Sequence, residues 1–207
     1  MPLQLRRRAA KAGRAGEEGG PWIVLGLGNP DGEGYGNTRH NAGAMVVTRL
    51  AERAGASLKR SRNRAQVAEV RDGDTRVVLA RPNSYVNESG GPASLLARWY
   101  KTPVERIIVV HDEIDLAYGK LQVRRDGGTA GHNGLKDIAK ALGSPDFLRV
   151  RIGVGRPPGR KDPADYVLEP IAKRDAENFA VLVERAADAT MDLVRLPLER
   201  AQDRHNH

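Results

Sequence analysis

Cysteine is missing from all 207 residues of the chain. Its absence excludes a disulfide scaffold, a thiolate zinc site, an iron–sulfur cluster and a cysteine nucleophile. The five histidines do not form H-E-x-x-H, so a zincin-type metal site is excluded as well. Long apolar runs are also absent, because Trp22–Leu25 and Ile107–Val110 have only the length of strands, whereas a membrane span needs about 18 apolar residues.

Two further signatures are lacking. No G-x-x-x-x-G-K-[ST] phosphate loop occurs, and no G-x-S-x-G nucleophile elbow occurs. Gly26-x-Gly28 follows an apolar run, but the third glycine of a dinucleotide-binding fingerprint is replaced by Asp31. A nucleotide-binding protein that uses Gly26-x-Gly28 therefore remains an alternative that the spacing disfavours.

Basic residues exceed acidic ones, which gives a formal net charge of +8. The segment 1–20 contributes +3, and the remaining chain is still basic. Arg6, Arg7 and Arg8 are not followed by an apolar stretch, so the segment is not a secretory signal. We expect residues 1–20 to form a disordered basic tail on a cytoplasmic protein. The basic body fits either a phosphate-rich partner or a surplus of solvated arginine, and charge alone does not decide.

Apolar spacing predicts strands that alternate with helices over residues 21–198, which we expect to be one catalytic domain. The predicted strands are Trp22–Leu27, Gln66–Val70, Thr75–Ala80, Ile107–Val110, Leu121–Arg124 and a strand through Leu148, Val150 and Ile152. The predicted helices are 41–54, 92–100, one that opens at Asn133-Gly134 and a long one through Phe179 and Val194. The pattern predicts a single-domain α/β sandwich with a mixed twisted sheet and helices on both faces. The polar segment 199–207 is expected to fray.

Polar side chains cluster where these strands end and where helices begin. They are Asn29, His40-Asn41, Asn87, His111-Asp112-Glu113 and His132-Asn133. If the strands are parallel, several of these segments meet at one edge of the sheet. Taken singly, each has an ordinary explanation: asparagines cap helices, and Asp112, Glu113 and Asp115 are either solvated or a weak magnesium site.

Taken together, these side chains favour one chemistry. They offer a histidine base, a carboxylate to orient it and neutral amides to hold a polar substrate, but no good covalent nucleophile. That set is typical of general-base hydrolysis by water. At His40 a helix start disfavours imidazolium and a neighbouring carboxylate favours it, which predicts a base that titrates near neutrality.

Several motifs in order resemble those of the bacterial-type peptidyl-tRNA hydrolase family over roughly residues 22–204. They are Gly26-Leu-Gly-Asn-Pro30, Tyr35-x-x-Thr-Arg-His-Asn-Ala-Gly43, Asn87-x-Ser-Gly90, His111-Asp-Glu-Ile-Asp115, Gly131-His-Asn-Gly-Leu-Lys-Asp137 and Arg149-Val-Arg-Ile-Gly-Val-Gly155. The resemblance implies hydrolysis of the ester that joins a peptide to the terminal ribose of tRNA, and hence tRNA recycling. It implies no cofactor and no metal.

The resemblance also implies a role for each matching residue. His40 is the base, Asp112 supports it, and Asn29 helps to distinguish blocked from free aminoacyl-tRNA. The implied substrate contacts are Asn87 and Asn133 for the peptide and the reactive end, Tyr35 and Tyr85 for the tRNA end, and Arg124 and Arg151 for the tRNA backbone. The implied partner is peptidyl-tRNA, bound by a monomer that needs no membrane and no obligate protein partner.

Two positions depart from the pattern of the family. Val86 replaces the usual methionine, and Ala130 replaces a glycine. Neither change removes a proposed catalytic group. The alternative from another class is an RNA-binding module of the same fold that performs no chemistry, which binding without turnover would indicate.

Overall fold

The computed structural model describes residues 19–125, 128–129, 131–157 and 159–206. Its centre is a seven-stranded sheet with the order β2-β3-β4-β1-β5-β7-β6. The strands are β1 (Trp22–Gly26), β2 (Lys59–Arg60), β3 (Ala65–Asp72), β4 (Thr75–Pro82), β5 (Ile107–Glu113), β6 (Leu121–Arg125) and β7 (Leu148–Gly153). The predicted tail lies outside the described residues except for Gly19 and Gly20.

Four central strands run in the same direction. β1 pairs in parallel with β4 and β5, and β5 pairs in parallel with β7. β3 and β6 pair antiparallel with β4 and β7, so the sheet is mixed, as predicted. Because four parallel strands point the same way, their carboxyl ends meet at one edge of the molecule, where ligands of open α/β sheets bind.

Helices cover both faces of this sheet. They are α1 (Ala42–Arg53), α2 (Gly90–Tyr100), α3 (Asn133–Leu142), α4 (Pro163–Leu168), α5 (Ala176–Arg195) and α6 (Leu198–His205). One apolar core joins α1, α5 and α6 to the sheet, and a second joins α2 and α3 to its opposite face. The chain is therefore a single-domain α/β protein, and in its described part no helix is long and apolar enough to cross a bilayer.

Glycines let α1 approach the sheet very closely. A Cβ on Gly26 would lie 2.2 Å from the carbonyl oxygen of Gly43, and one on Gly43 would lie 2.0 Å from that of Val110. Both distances are shorter than any real contact, so only glycine fits at these crossings. The Gly26-x-Gly28 pattern thus reflects helix–strand packing and does not require a nucleotide.

The segment 199–207, the helix α4 and the two-residue strand β2 differ from the sequence prediction. The segment 199–207 was expected to fray, but α6 extends to His205 and packs beside β6, so that expectation is wrong. Asn206 accepts a hydrogen bond from the backbone nitrogen of Val123 at 2.7 Å and donates one to its carbonyl at 3.1 Å, which holds the end of α6 in place. The short helix α4 was not predicted.

Candidate active site

A cavity of about 600 Å³ opens at the carboxyl ends of the parallel strands. Its walls include seven of the nine site residues inferred from the sequence. These are Asn29, Tyr35, His40, Tyr85, Asn87, Asp112 and Asn133. Asn29 follows β1, Asp112 lies near the end of β5, and Asn133 is the first residue of α3, so one edge of the sheet gathers residues that are distant in sequence.

His40 and Asp112 are in direct contact at the bottom of this cavity. His40 Nδ1 lies 3.0 Å from Oδ1 and 3.1 Å from Oδ2 of the carboxylate. Asp112 is buried, whereas 19% of the His40 side chain is still accessible. Because a carboxylate accepts hydrogen bonds, Nδ1 carries the proton, and Nε2 is left as the basic nitrogen.

The two groups stabilise each other's charged forms. Burial alone lowers the pKa of His40, but the charge of Asp112 and the hydrogen bond to it outweigh burial and raise that pKa above its usual value. Burial raises the pKa of Asp112, but the charge of His40 and hydrogen bonds from His132 and His40 hold that pKa well below its usual range. Asp112 is therefore a carboxylate at neutral pH, opposite an imidazole that readily accepts a proton.

Two further histidines contact Asp112, one at its carboxylate and the other at its backbone carbonyl. His132 Nε2 lies 3.4 Å from Asp112 Oδ1, and its ring centre lies 5.5 Å from that of His40. His111 is fully buried, and its Nδ1 lies 2.7 Å from the backbone carbonyl of Asp112. Burial and, next, the His132 ring hold the pKa of His111 well below its usual value, so His111 is neutral. Both histidines belong to the polar groups singled out in the sequence, but the sequence predicts no contact between either of them and Asp112.

Asn41 fixes the loop that carries Asn29. The Asn41 side chain accepts a hydrogen bond from the Asn29 nitrogen and donates one to the Asn29 carbonyl, both at 2.9 Å. Asn41 is the N-cap residue of α1 by position, as expected, but its side chain makes no capping hydrogen bond to that helix. Asn29 Oδ1 in turn accepts a hydrogen bond from the Val86 nitrogen at 2.9 Å. The –NH₂ group of the Asn29 side chain is thus the part available to donate a hydrogen bond to a bound ligand.

The tyrosines and the other two asparagines of the cavity wall are more exposed than Asp112. Tyr35 is half-buried in a short 3₁₀ turn, and Tyr85 is 40% exposed. Asn87 and Asn133 are both exposed on the cavity wall. Val86, which replaces the methionine of the family pattern, is buried and forms part of the apolar lining. Ala130 lies outside the described residues.

The outer wall of the cavity comes from α4, which the sequence analysis missed. Asp162 caps this helix by accepting a hydrogen bond from the Ala164 nitrogen at 2.8 Å. The guanidinium of Arg39, which adjoins His40, lies 4.2 Å from the centre of the Tyr166 ring. A single β-bridge between Thr38 and Pro170 completes the attachment. The cavity face of this wall is formed by Asp162, Pro163, Ala164, Val167 and Leu168.

Arg124 and Arg151 do not line the cavity. Arg151 Nη2 lies 2.8 Å from the buried carboxylate of Glu113, and Arg151 Nη1 donates a hydrogen bond to Gln122. Arg124 is half-buried on the edge strand β6. The two arginines share the β6–β7 margin of the sheet, outside the site that holds His40.

One group of side chains has the composition of a metal site. The ligand atoms of His40, Asp112 and His132 lie within 4.8 Å of one another. These atoms already contact each other through Asp112, and the described residues offer no fourth ligand in this group. The magnesium alternative is disfavoured, because Glu113 pairs with Arg151 and Asp115 pairs with Arg156.

Comparison with known proteins gives a consistent result. The sequence model of the family described as "Peptidyl-tRNA hydrolase" matches residues 23–207. A peptidyl-tRNA hydrolase from Frankia alni is 54% identical over 187 residues, which cover 90% of this chain and 94% of that protein. One from Mycobacterium marinum is 50% identical over 185 residues, covering 89% and 96%.

Solved structures show the same likeness. The crystal structure of peptidyl-tRNA hydrolase from Acinetobacter baumannii superposes with a TM-score of 0.82 at 31% sequence identity. The match covers 90% of this chain and 94% of that one. The similarity therefore extends through the fold and the cavity, not only through short motifs.

Proposed function

Because the chain belongs to the peptidyl-tRNA hydrolase family, we propose that it hydrolyses the ester bond between peptide and tRNA in peptidyl-tRNA, with His40 as the general base. The observation that carries this assignment is the 3.0 Å contact between His40 Nδ1 and Asp112 at the bottom of the cavity. It leaves the basic Nε2 of His40 for a water molecule.

The reaction follows from this geometry. His40 Nε2 takes a proton from water while the resulting hydroxide attacks the ester carbonyl, and a tetrahedral intermediate forms. The imidazolium then gives its proton to the departing ribose oxygen as the carbon–oxygen bond breaks, which releases the peptide acid and free tRNA. Asp112 stabilises the imidazolium during both steps, because its own pKa stays well below the usual range.

Amide groups hold the substrate in this scheme. The –NH₂ of Asn29 donates to a peptide carbonyl, since its Oδ1 is already bound by the Val86 nitrogen. Asn87 and Asn133 are exposed on the wall and contact the peptide and the reacting ester. Amides of this kind can also stabilise the negative charge that develops on the ester oxygen.

The same amides explain selection for blocked substrates. A free aminoacyl ester carries an ammonium, which costs several kcal/mol to strip of water unless an anion pairs with it. The Asp112 carboxylate at the bottom of the cavity is already engaged by His40 and His132. The –NH₂ of Asn29 is a donor and cannot accept a hydrogen bond from an ammonium. A peptide amide avoids this cost, so peptidyl-tRNA is the preferred substrate.

The proposal also covers the contacts with tRNA, the cellular location and the oligomeric state. Tyr35 and Tyr85 line the entrance and contact the terminal nucleotide, while Arg124 and Arg151 contact the tRNA backbone from the β6–β7 margin. The enzyme acts in the cytoplasm, where translation produces its substrate, and recycles tRNA there. It acts as a monomer without an obligate protein partner, which the capping of edge strand β6 by Asn206 supports.

The decisive experiment measures release of tRNA from two matched substrates. N-acetylaminoacyl-tRNA should be hydrolysed at least about 100-fold faster than the unblocked aminoacyl-tRNA, given a desolvation cost of several kcal/mol. Equal rates on both substrates would contradict the selectivity argument. Binding of tRNA with no release from either substrate would favour the non-catalytic RNA-binding module.

A further inference from the structure

An exposed tryptophan lies among basic side chains at the β2 margin of the sheet. Trp99, near the end of α2, is 50% exposed. We call this region the Trp99 surface, and it comprises Trp99 with Lys59, Arg60, Arg62, Arg64, Arg98 and Lys101, all of them exposed. These residues come from β2, from the turn between β2 and β3, and from the end of α2.

Arg62 and Trp99 form a stacked pair. The guanidinium carbon of Arg62 lies 4.2 Å from the centre of the Trp99 ring. Because half of the Trp99 side chain remains accessible, the pair presents flat aromatic and cationic surfaces to solvent. Indole and guanidinium planes are the surfaces on which proteins stack nucleobases.

The charges of the Trp99 surface are not neutralised within the described structure. Among the described residues, none of its six basic side chains has a carboxylate within ion-pair distance, in contrast to Arg53, which pairs with Glu184 and Asp188. The nearby Glu69 of β3 is engaged by the Tyr100 hydroxyl at 2.9 Å and by Arg76 at 3.6 Å. Six uncompensated positive charges on one margin favour a partner with repeated negative charge.

This surface is remote from the proposed chemistry. Trp99 lies nine residues after Gly90, which places it about 14 Å along α2 from the end near the cavity. β2 and β6 are the opposite margins of the sheet, so Lys59 and Arg60 are separated from Arg124 by six strand intervals of about 4.8 Å. The Trp99 surface is therefore distinct from the β6–β7 margin assigned to the tRNA backbone.

The amino-terminal segment joins the body beside this surface. The Thr102 hydroxyl donates to the Pro21 carbonyl at 2.9 Å, and a Cβ on Gly20 would lie only 2.7 Å from the Lys101 carbonyl oxygen. Gly20 and Pro21 thus lie beside the end of α2.

We propose that the Trp99 surface binds single-stranded RNA, with a base stacked on the Trp99–Arg62 pair and phosphates beside the surrounding lysines and arginines. A base offers the flat face that the pair can stack on, and the phosphate backbone matches the unpaired cations. An acidic peptide would satisfy the charges but would leave the exposed indole without a partner. Neither His40 nor the cavity contributes to this contact, so it stands independently of the proposed hydrolysis.

Tryptophan fluorescence can report this contact directly. The chain has two tryptophans, so a Trp22→Phe variant leaves Trp99 as its sole indole. A 12-nucleotide oligouridylate should quench that fluorescence as a base stacks on the ring. In the full-length chain, Trp99→Ala should weaken binding of fluorescein-labelled oligouridylate about tenfold, as expected for the loss of one stacked base.

A charge variant tests the phosphate contacts without altering the ring. Arg98→Gln combined with Lys101→Gln should reduce the slope of log Kd against log salt by about 1.4, since each contact with a single strand contributes about 0.7. Arg174→Gln is the matched control, because Arg174 is 87% exposed and lies outside this surface. It should leave the slope within half a unit of the unsubstituted protein.

A measurement of kcat on a short substrate distinguishes failure of this proposal from failure of the proposed hydrolysis. Trp99→Ala, the Arg98→Gln/Lys101→Gln variant and Arg174→Gln should keep the same kcat on an N-acetylaminoacyl ester of the trinucleotide CCA. Undiminished oligouridylate binding by Trp99→Ala would overturn the proposal, as would unquenched Trp99 at saturating RNA. Quenching by oligoglutamate but not by oligouridylate would overturn it too, and would assign the surface to an acidic protein.

Discussion

The bottom and the outer wall of the cavity are built in different ways. The pocket floor, by which we mean Asn29, His40, Asn41, Asp112 and His132, consists of polar side chains joined to one another and anchored at strand ends. The outer wall is the six-residue helix α4, which the Arg39–Tyr166 stack and a single β-bridge attach to the segment before α1. The floor is fixed by hydrogen bonds between polar side chains, and the wall by the Arg39–Tyr166 stack, the Thr38–Pro170 bridge and the packing of Val167 into the core.

This difference separates two tasks. A proton transfer requires the base, the carboxylate and the ester to be held to a fraction of an ångström, and the hydrogen bonds between the polar side chains of the floor provide that. Peptides of varied sequence must still enter and leave, and a short helix held by few contacts can move to admit them. Substitutions in the floor should therefore change kcat, and substitutions that loosen the wall should change KM.

The largest effect is expected for His40→Ala in the floor. Loss of the general base should lower kcat about 10³-fold, while affinity for tRNA stays within a few fold. Single-turnover hydrolysis and filter binding measure the two quantities. His205→Ala, on α6 and paired with Asp192, is the matched control and should retain kcat. A fall in tRNA affinity as large as the fall in kcat would remove the distinction between floor and binding surfaces.

Asp112→Asn should act through His40. Without the carboxylate, the pKa of His40 loses the influence that raises it, so the acidic limb of the kcat/KM profile should move to lower pH. The maximal rate should fall about 100-fold, because the imidazolium is no longer stabilised. A pH profile with an unmoved acidic limb would show that Asp112 does not set the protonation of the base.

The stabilisation that the Asp112 carboxylate contributes should decrease as pH falls. Its pKa is depressed in the folded state, so the charged carboxylate stabilises the protein above the unfolded pKa of about 3.9 and loses that contribution as pH falls. The difference in melting temperature between the unsubstituted protein and Asp112→Asn should therefore shrink between pH 7 and pH 3. A difference that grows on acidification would contradict the depressed pKa.

Arg39→Ala should loosen the wall and leave the floor intact. The stack on Tyr166 is worth about 0.5–1 kcal/mol, so KM should rise about threefold with kcat nearly unchanged. Steady-state kinetics on blocked aminoacyl-tRNA measures both values. Tyr166→Phe keeps the ring and loses only a hydroxyl contact with the Val154 carbonyl, so it should behave as the unsubstituted protein. A lowered kcat in Arg39→Ala would show that the wall also positions the reacting groups.

The smallest effects are expected at the β6–β7 margin. Arg124→Gln should raise KM about twofold and reduce its salt slope by about 0.9, the value for one phosphate contact with a duplex. Arg151→Gln should do the same and also lower the melting temperature, because it leaves the buried carboxylate of Glu113 unpaired. Salt titration and thermal melting separate the two roles. Arg124→Gln with an unchanged salt slope would remove Arg124 from the tRNA contacts.

Apolar periodicity was sufficient for six of the seven strands and for the main helices, whereas the exposed two-residue strand β2 has no apolar pattern and was not predicted. The run Ile107–Val110 predicts a buried central strand, and β5 contains it but continues through Asp112 to Glu113. The polar end of β5 could not be predicted, since polar residues enter a strand only where tertiary partners satisfy them. α4 and α6 escaped prediction for a related reason, because each buries little and depends on contacts with distant elements.

The site residues also divide into those that sequence motifs identify and those whose contacts only the fold shows. Motifs identified His40 and Asp112, and the geometry brings them together. The family resemblance paired His40 with Asp112 across 72 positions of the chain. Nothing in the sequence paired His132 with Asp112 or Asn41 with the Asn29 backbone, and these contacts are visible only in the fold. Short-range rules treated Asn41 as a helix cap, and only the fold shows that it supports a neighbouring loop.

The amide of Asn206 occupies the outward-facing nitrogen and carbonyl of Val123 on β6, and Gln202 adds a second donor to that carbonyl at 3.2 Å. An uncovered marginal strand is a template on which another chain can extend a sheet. The carboxy-terminal helix therefore covers this part of the β6 edge, and proteolytic clipping before Gln202 should leave the Val123 nitrogen and carbonyl open to pairing with a strand of another molecule.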